Sequence, residues 1–277
     1  MNIIKFLDEF TDKTLLEKQS SRRDIFGTFG SFGKKAALAA IPFGLASMSN
    51  KSYAKPLAAY TNAAVNPVDS LQFALTLEYL EDEFYDLALQ SGVITDSTVE
   101  KVYKKISQHE QSHVDFLFKA ITDAGVTPNA KPTFDFTADN TFDPFTKSNP
   151  NAYAQLLALA QAFEDTGVRA YKGQAGNLQG SPYLTAGLQI HSVEARHAAE
   201  IRRIRGLKGW ITGKERGAGM PSQTQATYNG EENIMQGGVD VTKLGTGKPF
   251  TVNASTEAYD ETLTKDEVLA IASLFIA

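Results

Sequence analysis

Two Glu-x-x-His motifs constrain this chain more than any other feature. They read Glu110-Gln111-Ser112-His113 and Glu194-Ala195-Arg196-His197. Residues three apart on a helix share a face, so each motif aims a carboxylate and an imidazole the same way. Another pair repeats beside them: Glu78 is followed by Tyr85 and Glu164 by Tyr171, each after seven residues. Seven residues are two helical turns, which puts each tyrosine on its glutamate's face. Glu78 and Tyr85 map onto Glu164 and Tyr171 at an offset of 86, and Glu110 and His113 onto Glu194 and His197 at an offset of 84. Such a nearly constant offset marks an internal duplication.

Hydrophobic periodicity places all four motifs on helices. From Asn66, with Val68-Asp69-Ser70 as the capping stretch, Leu71, Leu75, Leu80, Phe84 and Leu87 recur at helical steps as far as Gly92. A second stripe, with Val99, Ile106, Val114, Leu117 and Ile121, runs from about Asp96 to Ala124 and stops at Gly125 and Pro128. The third begins near Pro150 and fades at Gly173 to Gly180; the fourth runs from Ser181-Pro182 to Gly206 or Gly209. Between the second and third, residues 125–149 hold Pro128, Pro132, Pro144 and four phenylalanines. Prolines at that density rule out a helix, and the phenylalanines require apolar cover.

The order is helix, short turn, helix, long connection, helix, short turn, helix. That predicts an all-α four-helix bundle with one long crossover. A helix of about 25 residues is roughly 37 Å long, so the crossover needs about 20 extended residues to travel it. The bundle is expected over residues 66–209, followed by an irregular extension over 210–277. Within the extension, Gly237 to Val241 and Pro249 to Val252 read as short extended pieces. Thr264-Lys265-Asp266-Glu267 is a capping-box pattern. It precedes an apolar helix, Val268 to Ile276, expected to run to the terminus and dock on the bundle or on a neighbouring subunit.

The apolar stripes set the four glutamates next to the core, where unpaired carboxylates are costly and need cations. Carboxylates combined with imidazoles suit iron or manganese. Some positions have rivals. Glu81, one turn from Glu78, and Asp82, four residues from it, are alternatives to Glu78, although the duplication pairs Glu81 with Gly167. Asp165 adjoins Glu164 but points about 100° away. His191, one turn before Glu194, is a supporting group or an additional ligand. His109 is expected at the surface or as a cap, and Glu200 as a solvated charge. Tyr85 and Tyr171 are expected to hydrogen-bond carboxylates.

Together these residues resemble the ferritin-like di-metal carboxylate family, which includes bacterioferritins and rubrerythrins. Its site takes one glutamate from each of two helices and a Glu-x-x-His from each of the other two. The resemblance implies that Glu78 and Glu164 are terminal carboxylates, that Glu110 and Glu194 bridge two Fe or Mn ions, and that His113 and His197 bind one ion each. The string Leu77-Glu78-Tyr79-Leu80-Glu81-Asp82-Glu83-Phe84-Tyr85 is also similar to the exported bacterial ferritin-like domain family, relatives of plant desiccation-related proteins. The implied function is handling of Fe²⁺, O₂ or peroxide, as a ferroxidase, peroxidase or manganese-catalase-like oxidoreductase, with a homo-oligomer as a compatible assembly. The alternative is a non-catalytic exported structural or stress-protective protein with a vestigial or structural metal site.

Composition narrows these options. There is no cysteine in 277 residues. That excludes disulfides, thiolate zinc sites, cysteine-held iron–sulfur clusters and an attached rubredoxin. A net charge of −5 argues against a nucleic-acid partner. No apolar run is long enough for a membrane span. Residues 1–54 differ from the rest: eight basic and five acidic residues give them +3 and leave −8 for the remainder. Ser21-Arg22-Arg23-Asp24-Ile25-Phe26 resembles a twin-arginine export signal, with an apolar stretch from Ala36 to Met48 and a small-x-small site at Ser52-Tyr53-Ala54. A periplasmic or otherwise exported location is expected; if the leader is not functional, the chain stays in the cytoplasm.

Overall fold

The computed structural model describes residues 66–247 and 249–277. The expected leader, with Arg22 and Arg23, lies outside them. The fold is all-α. Helix α1 spans Pro67–Gln90, α2 Ser97–Asp123, α3 Ala152–Gln174 and α4 Leu184–Ile204. Side-chain caps start the first two: Asn66 accepts from the Val68 N–H, and Asp96 accepts from those of Thr98 and Val99. The first cap therefore lies just ahead of the expected Val68 to Ser70. Pro150 and Pro182 sit in the turns before α3 and α4, two residues ahead of the first helical position in each case. Short turns join α1 to α2 and α3 to α4, and each pair packs as a helical hairpin.

The crossover lies against the bundle, as its phenylalanines require. Phe136 and Phe142 are buried in the same core as Leu80, Phe84 and Phe163. The Phe84 ring is 5.5 Å from Phe136 and 5.1 Å from Phe163, centroid to centroid.

The two hairpins are not equally covered. Helix α2 is amphipathic, with Lys104–Glu100 and Lys119–Asp123 pairs on its wet face. Helix α3 is buried at every position from Leu156 to Tyr171. The C-terminal extension wraps it. Arg169, 1 % exposed, points out of α3 into this cover. It pairs with Glu231 at 2.8 Å and donates to the carbonyls of Thr227, Asn229, Glu261 and Thr262. Gly173 lets the extension close in: a Cβ there would fall 2.0 Å from the Leu263 carbonyl oxygen. Asp165 is held by Arg202 at 2.7 Å and Tyr228 at 2.9 Å.

The extension departs from the sequence expectation in three places. Met235–Gln236 (β1) and Val239–Asp240 (β2) form an antiparallel hairpin. Gly237 and Gly238 turn it with φ of 57° and 85°, a conformation glycine adopts without steric cost. The second expected extended piece, Pro249 to Val252, instead leads into helix α5, Val252–Thr256, because the Thr251 hydroxyl accepts from the Ala254 N–H and caps it. Helix α6, Lys265–Ala272, carries the full Thr264–Glu267 capping box. It stops at Ala272 and not at Ile276, because the last residues pair with the crossover: Phe134 bridges Ile276, and the Ala277 N–H donates to the Thr133 carbonyl. Val268 and Ile271 of α6 dock on Phe73 and Leu77 of α1 and Ala170 of α3. Among the described residues no helix is long and apolar enough to cross a membrane.

Candidate metal centre

Two apolar cores bracket the middle of the bundle. One collects Leu80, Phe84, Tyr103, Leu156, Phe163 and Ile201; the other Leu71, Leu75, Val114, Leu117, Ile121 and Ile190. On every helix the polar residues fall in the gap between them: Glu78 on α1, Glu110 and His113 on α2, Glu164 on α3, Glu194 and His197 on α4. All four glutamates are 0 % exposed. Four helices thus deliver six side chains to one level, with a hydrophobic seal on either side.

The six resolve into two overlapping groups. Glu78, Glu110, His113 and Glu194 form one, and Glu110, Glu164, Glu194 and His197 the other. Within each group, one donor atom per residue lies within 4.8 Å of all the others. Glu110 and Glu194 are common to both. The arrangement reproduces the duplication in space, with one half's terminal glutamate and one imidazole on each side of a shared pair.

Both imidazoles aim Nδ1 inward. His113 Nδ1 lies 3.2 Å from Glu78, 3.0 Å from Glu110 and 3.1 Å from Glu194. His197 Nδ1 lies 2.9 Å from Glu110, 3.3 Å from Glu164 and 3.7 Å from Glu194. Despite that proximity, His197 Nδ1, Glu110 Oε1, Glu164 Oε2 and both Glu194 oxygens are buried without a well-directed hydrogen bond. Buried polar atoms in proteins are normally partnered. Lone pairs that converge without bonding one another fit a donor set for cations, and its carboxylate-and-imidazole chemistry suits hard to borderline divalent ions.

Protonation in the metal-free protein follows the same logic. Burial pulls His113 down, but Glu110, Glu194 and Glu78 reverse this and raise it to about 12. Burial also opposes the charge on His197, yet Glu164 and the neighbouring carboxylates hold its pKa far above normal. Burial pushes Glu194 up, but the two imidazoles overcome it and hold it at about 2. Glu164 is pushed up to about 7, chiefly by burial, and Glu110 is raised by burial and by Glu194. Two imidazolium ions therefore supply the positive charge that such a cluster needs.

The tyrosines hydrogen-bond carboxylates, as expected, but across the duplication. Tyr85 donates to Glu164, and Tyr171 donates to Glu78. Of the rival carboxylates, Asp165 is engaged by Arg202 and Tyr228, and Asp82 faces Lys131 at 3.7 Å. Glu81 is buried beside the cluster and belongs to neither group. His191 is half-buried, with Nε2 unpartnered, and also stands outside both groups. Glu200 is exposed.

His109 differs from its expectation. It is half-buried, not a cap, and its ring stacks on His197 at 5.2 Å with Nδ1 2.9 Å from His197 Nε2. The pairing joins α2 to α4, so spacing along one helix could not reveal it. Arg169 is the other residue that sequence reasoning missed. Its signal was a charge inside an otherwise apolar run, Gly167-Val168-Arg169-Ala170.

A family model described as "Ferritin-like domain" matches residues 66–207. The chain belongs to the ferritin-like domain family. The match covers the four helices, the crossover and all six converging residues. No curated protein matched the chain. In this ferritin-like bundle the extension from residue 208 onward lies beyond the matched region, although it packs on α3 and covers that helix.

Proposed function

We propose that the protein is a di-metal oxidoreductase of the ferritin-like type that handles Fe²⁺, O₂ or peroxide. The observation that carries this reading is the pair of overlapping donor groups sharing Glu110 and Glu194. Glu78 and His113 would complete one position, Glu164 and His197 the other. Two bound Fe or Mn ions would supply redox equivalents and Lewis acidity toward oxygen species.

The protein's own groups support that chemistry. Tyr85 and Tyr171 orient the terminal carboxylates. His109 fixes the ring of His197, and the two apolar cores keep bulk water away. These 277 residues hold no cysteine, so none of them builds an iron–thiolate electron donor, and the reading assigns that role to the metal substrate or a soluble reductant.

The test is metal loading followed by turnover. Protein loaded anaerobically with Fe²⁺ or Mn²⁺ is expected to hold two ions per chain, and Glu110→Ala and Glu194→Ala are expected to lose both. Fe²⁺ oxidation and peroxide consumption are then measured. A chain that binds no metal under these conditions refutes the reading. Metal without turnover favours the structural or stress-protective alternative.

We also propose export through the twin-arginine route, supported by Arg22 and Arg23 in their sequence context. Replacing both with lysine should leave the protein in the cytoplasmic fraction.

A further inference from the structure

The duplication that pairs Glu78 with Glu164 also pairs Glu81 with Gly167, at the same offset of 86. These two positions meet between α1 and α3. A Cβ on Gly167 would stand 3.1 Å from Glu81 Oε1 and 3.6 Å from Glu194 Oε2. The side chain missing from one half thus makes room for the carboxyl of the other. The gap reaches one of the two shared glutamates.

Glu81 is 3 % exposed, and among the described residues it makes no hydrogen bond or ion pair. It borders a cavity of about 20 Å³ walled by Leu77, Phe163, Ile271 and Ala272. That is room for roughly one water-sized molecule. The remaining polar wall, Thr166, is already engaged, donating to the Ala162 carbonyl at 2.7 Å. Ile271 and Ala272 belong to α6, so the C-terminal extension roofs the cavity. Apart from Glu81, its walls offer nothing in place of an ion's hydration shell, which favours small uncharged occupants.

We propose that this cavity is a binding site and port for a small uncharged molecule of the class of water, O₂ or hydrogen peroxide, with the Glu81 carboxyl as its polar wall and Gly167 as the wall that separates it from Glu194. The inference rests on the di-metal reading. It gives the asymmetric glycine a role and places the approach on the α1–α3 face, under the C-terminal helix.

Nitric oxide, which is small and uncharged, probes it. Its association rate with the anaerobic Fe²⁺-loaded full-length protein is measured by stopped flow, alongside iron content. Ala272→Leu fills the cavity from the roof without touching a proposed ligand. It is expected to slow association at least about tenfold while iron per chain is unchanged. If that variant fails to fold, Gly167→Ala, which narrows the inner neck, is read in the same way. An unchanged rate in a folded, iron-loaded variant overturns the port and leaves the di-metal reading standing. A wild-type protein that takes up no iron overturns both.

Discussion

Tyr85 donates its hydroxyl hydrogen to Glu164, the buried carboxylate of the opposite half of the duplication. Tyr171 returns the bond to Glu78. Each half of the chain therefore steadies the carboxylate that the other half supplies, and α1 and α3 are tied together at both donor groups.

Under the di-metal reading this crossing has a direct consequence. Tyr85→Phe should weaken the position built from Glu164 and His197, by about 10–100-fold in metal affinity. The position built from Glu78 and His113 should be spared. Tyr171→Phe should do the reverse. Anaerobic Mn²⁺ titration resolving two binding constants checks this. Weakening on the same-half side instead would contradict the crossed arrangement.

His109 orients His197. Since His197 Nδ1 faces the carboxylates, its Nε2 carries the hydrogen that His109 Nδ1 accepts at 2.9 Å. His109→Ala should cost the His197 position roughly 10–100-fold in affinity and leave the His113 position intact. His109→Gln, which keeps an acceptor, should recover part of the loss in the same titration.

The cluster's protonation sets a pH dependence. His113 titrates at about 12 in the folded metal-free protein against 6.5 for the ordinary group. Between those values the folded state holds a proton that the unfolded state has lost, so this stabilisation is complete below 6.5 and falls as pH rises. Glu164, at about 7 against 4.5, adds a fall between those two values. Glu194, at about 2 against 4.5, acts oppositely: its contribution is complete above 4.5 and is lost as pH drops toward 2. The metal-free protein should therefore melt highest in mildly acidic solution, and its Tm should decline from neutral to alkaline pH. Under the di-metal reading metal must displace the two imidazole protons and those held by Glu164 and Glu110, so affinity should rise with pH and binding at neutral pH should release protons from both kinds of ligand. Thermal melts and calorimetry in buffers of different ionisation enthalpy measure both. Binding without proton release would show that the imidazoles are neutral beforehand.

Arg169 fastens the extension to α3. Arg169→Met removes the charge opposite Glu231 and leaves four carbonyls short of a donor. Breaking a buried pair in this way costs about 3–5 kcal/mol. Denaturant unfolding should show a loss of that order, and limited proteolysis should cut between residues 208 and 265 faster than in wild type. Unchanged stability and cleavage would mean that the extension is held by its apolar contacts alone.

The motifs were legible because a helix is a local structure. Glu-x-x-His and Glu-x₆-Tyr are face relationships within one helix, and the duplication repeats them. Proline density and the four phenylalanines marked the crossover for similar local reasons. The crossing of Tyr85 to Glu164, the stacking of His109 on His197 and the clamp of Arg169 are relationships between helices or between α3 and the extension. Spacing along one helix carries no information about them. The end of α6 was misplaced for the same reason: an apolar stretch favours continuing the helix, and only pairing with Thr133 and Phe134 stops it at Ala272.

By itself, then, the sequence determined four helices, their order, and which acids and imidazoles share a face, because helical periodicity turns spacing into direction. Tertiary structure decided which half supports which carboxylate, why Gly167 stands opposite Glu81, and what covers α3. Those outcomes depend on how close two helix backbones approach and at what level their side chains meet. That is settled by packing the two apolar cores on either side of the cluster.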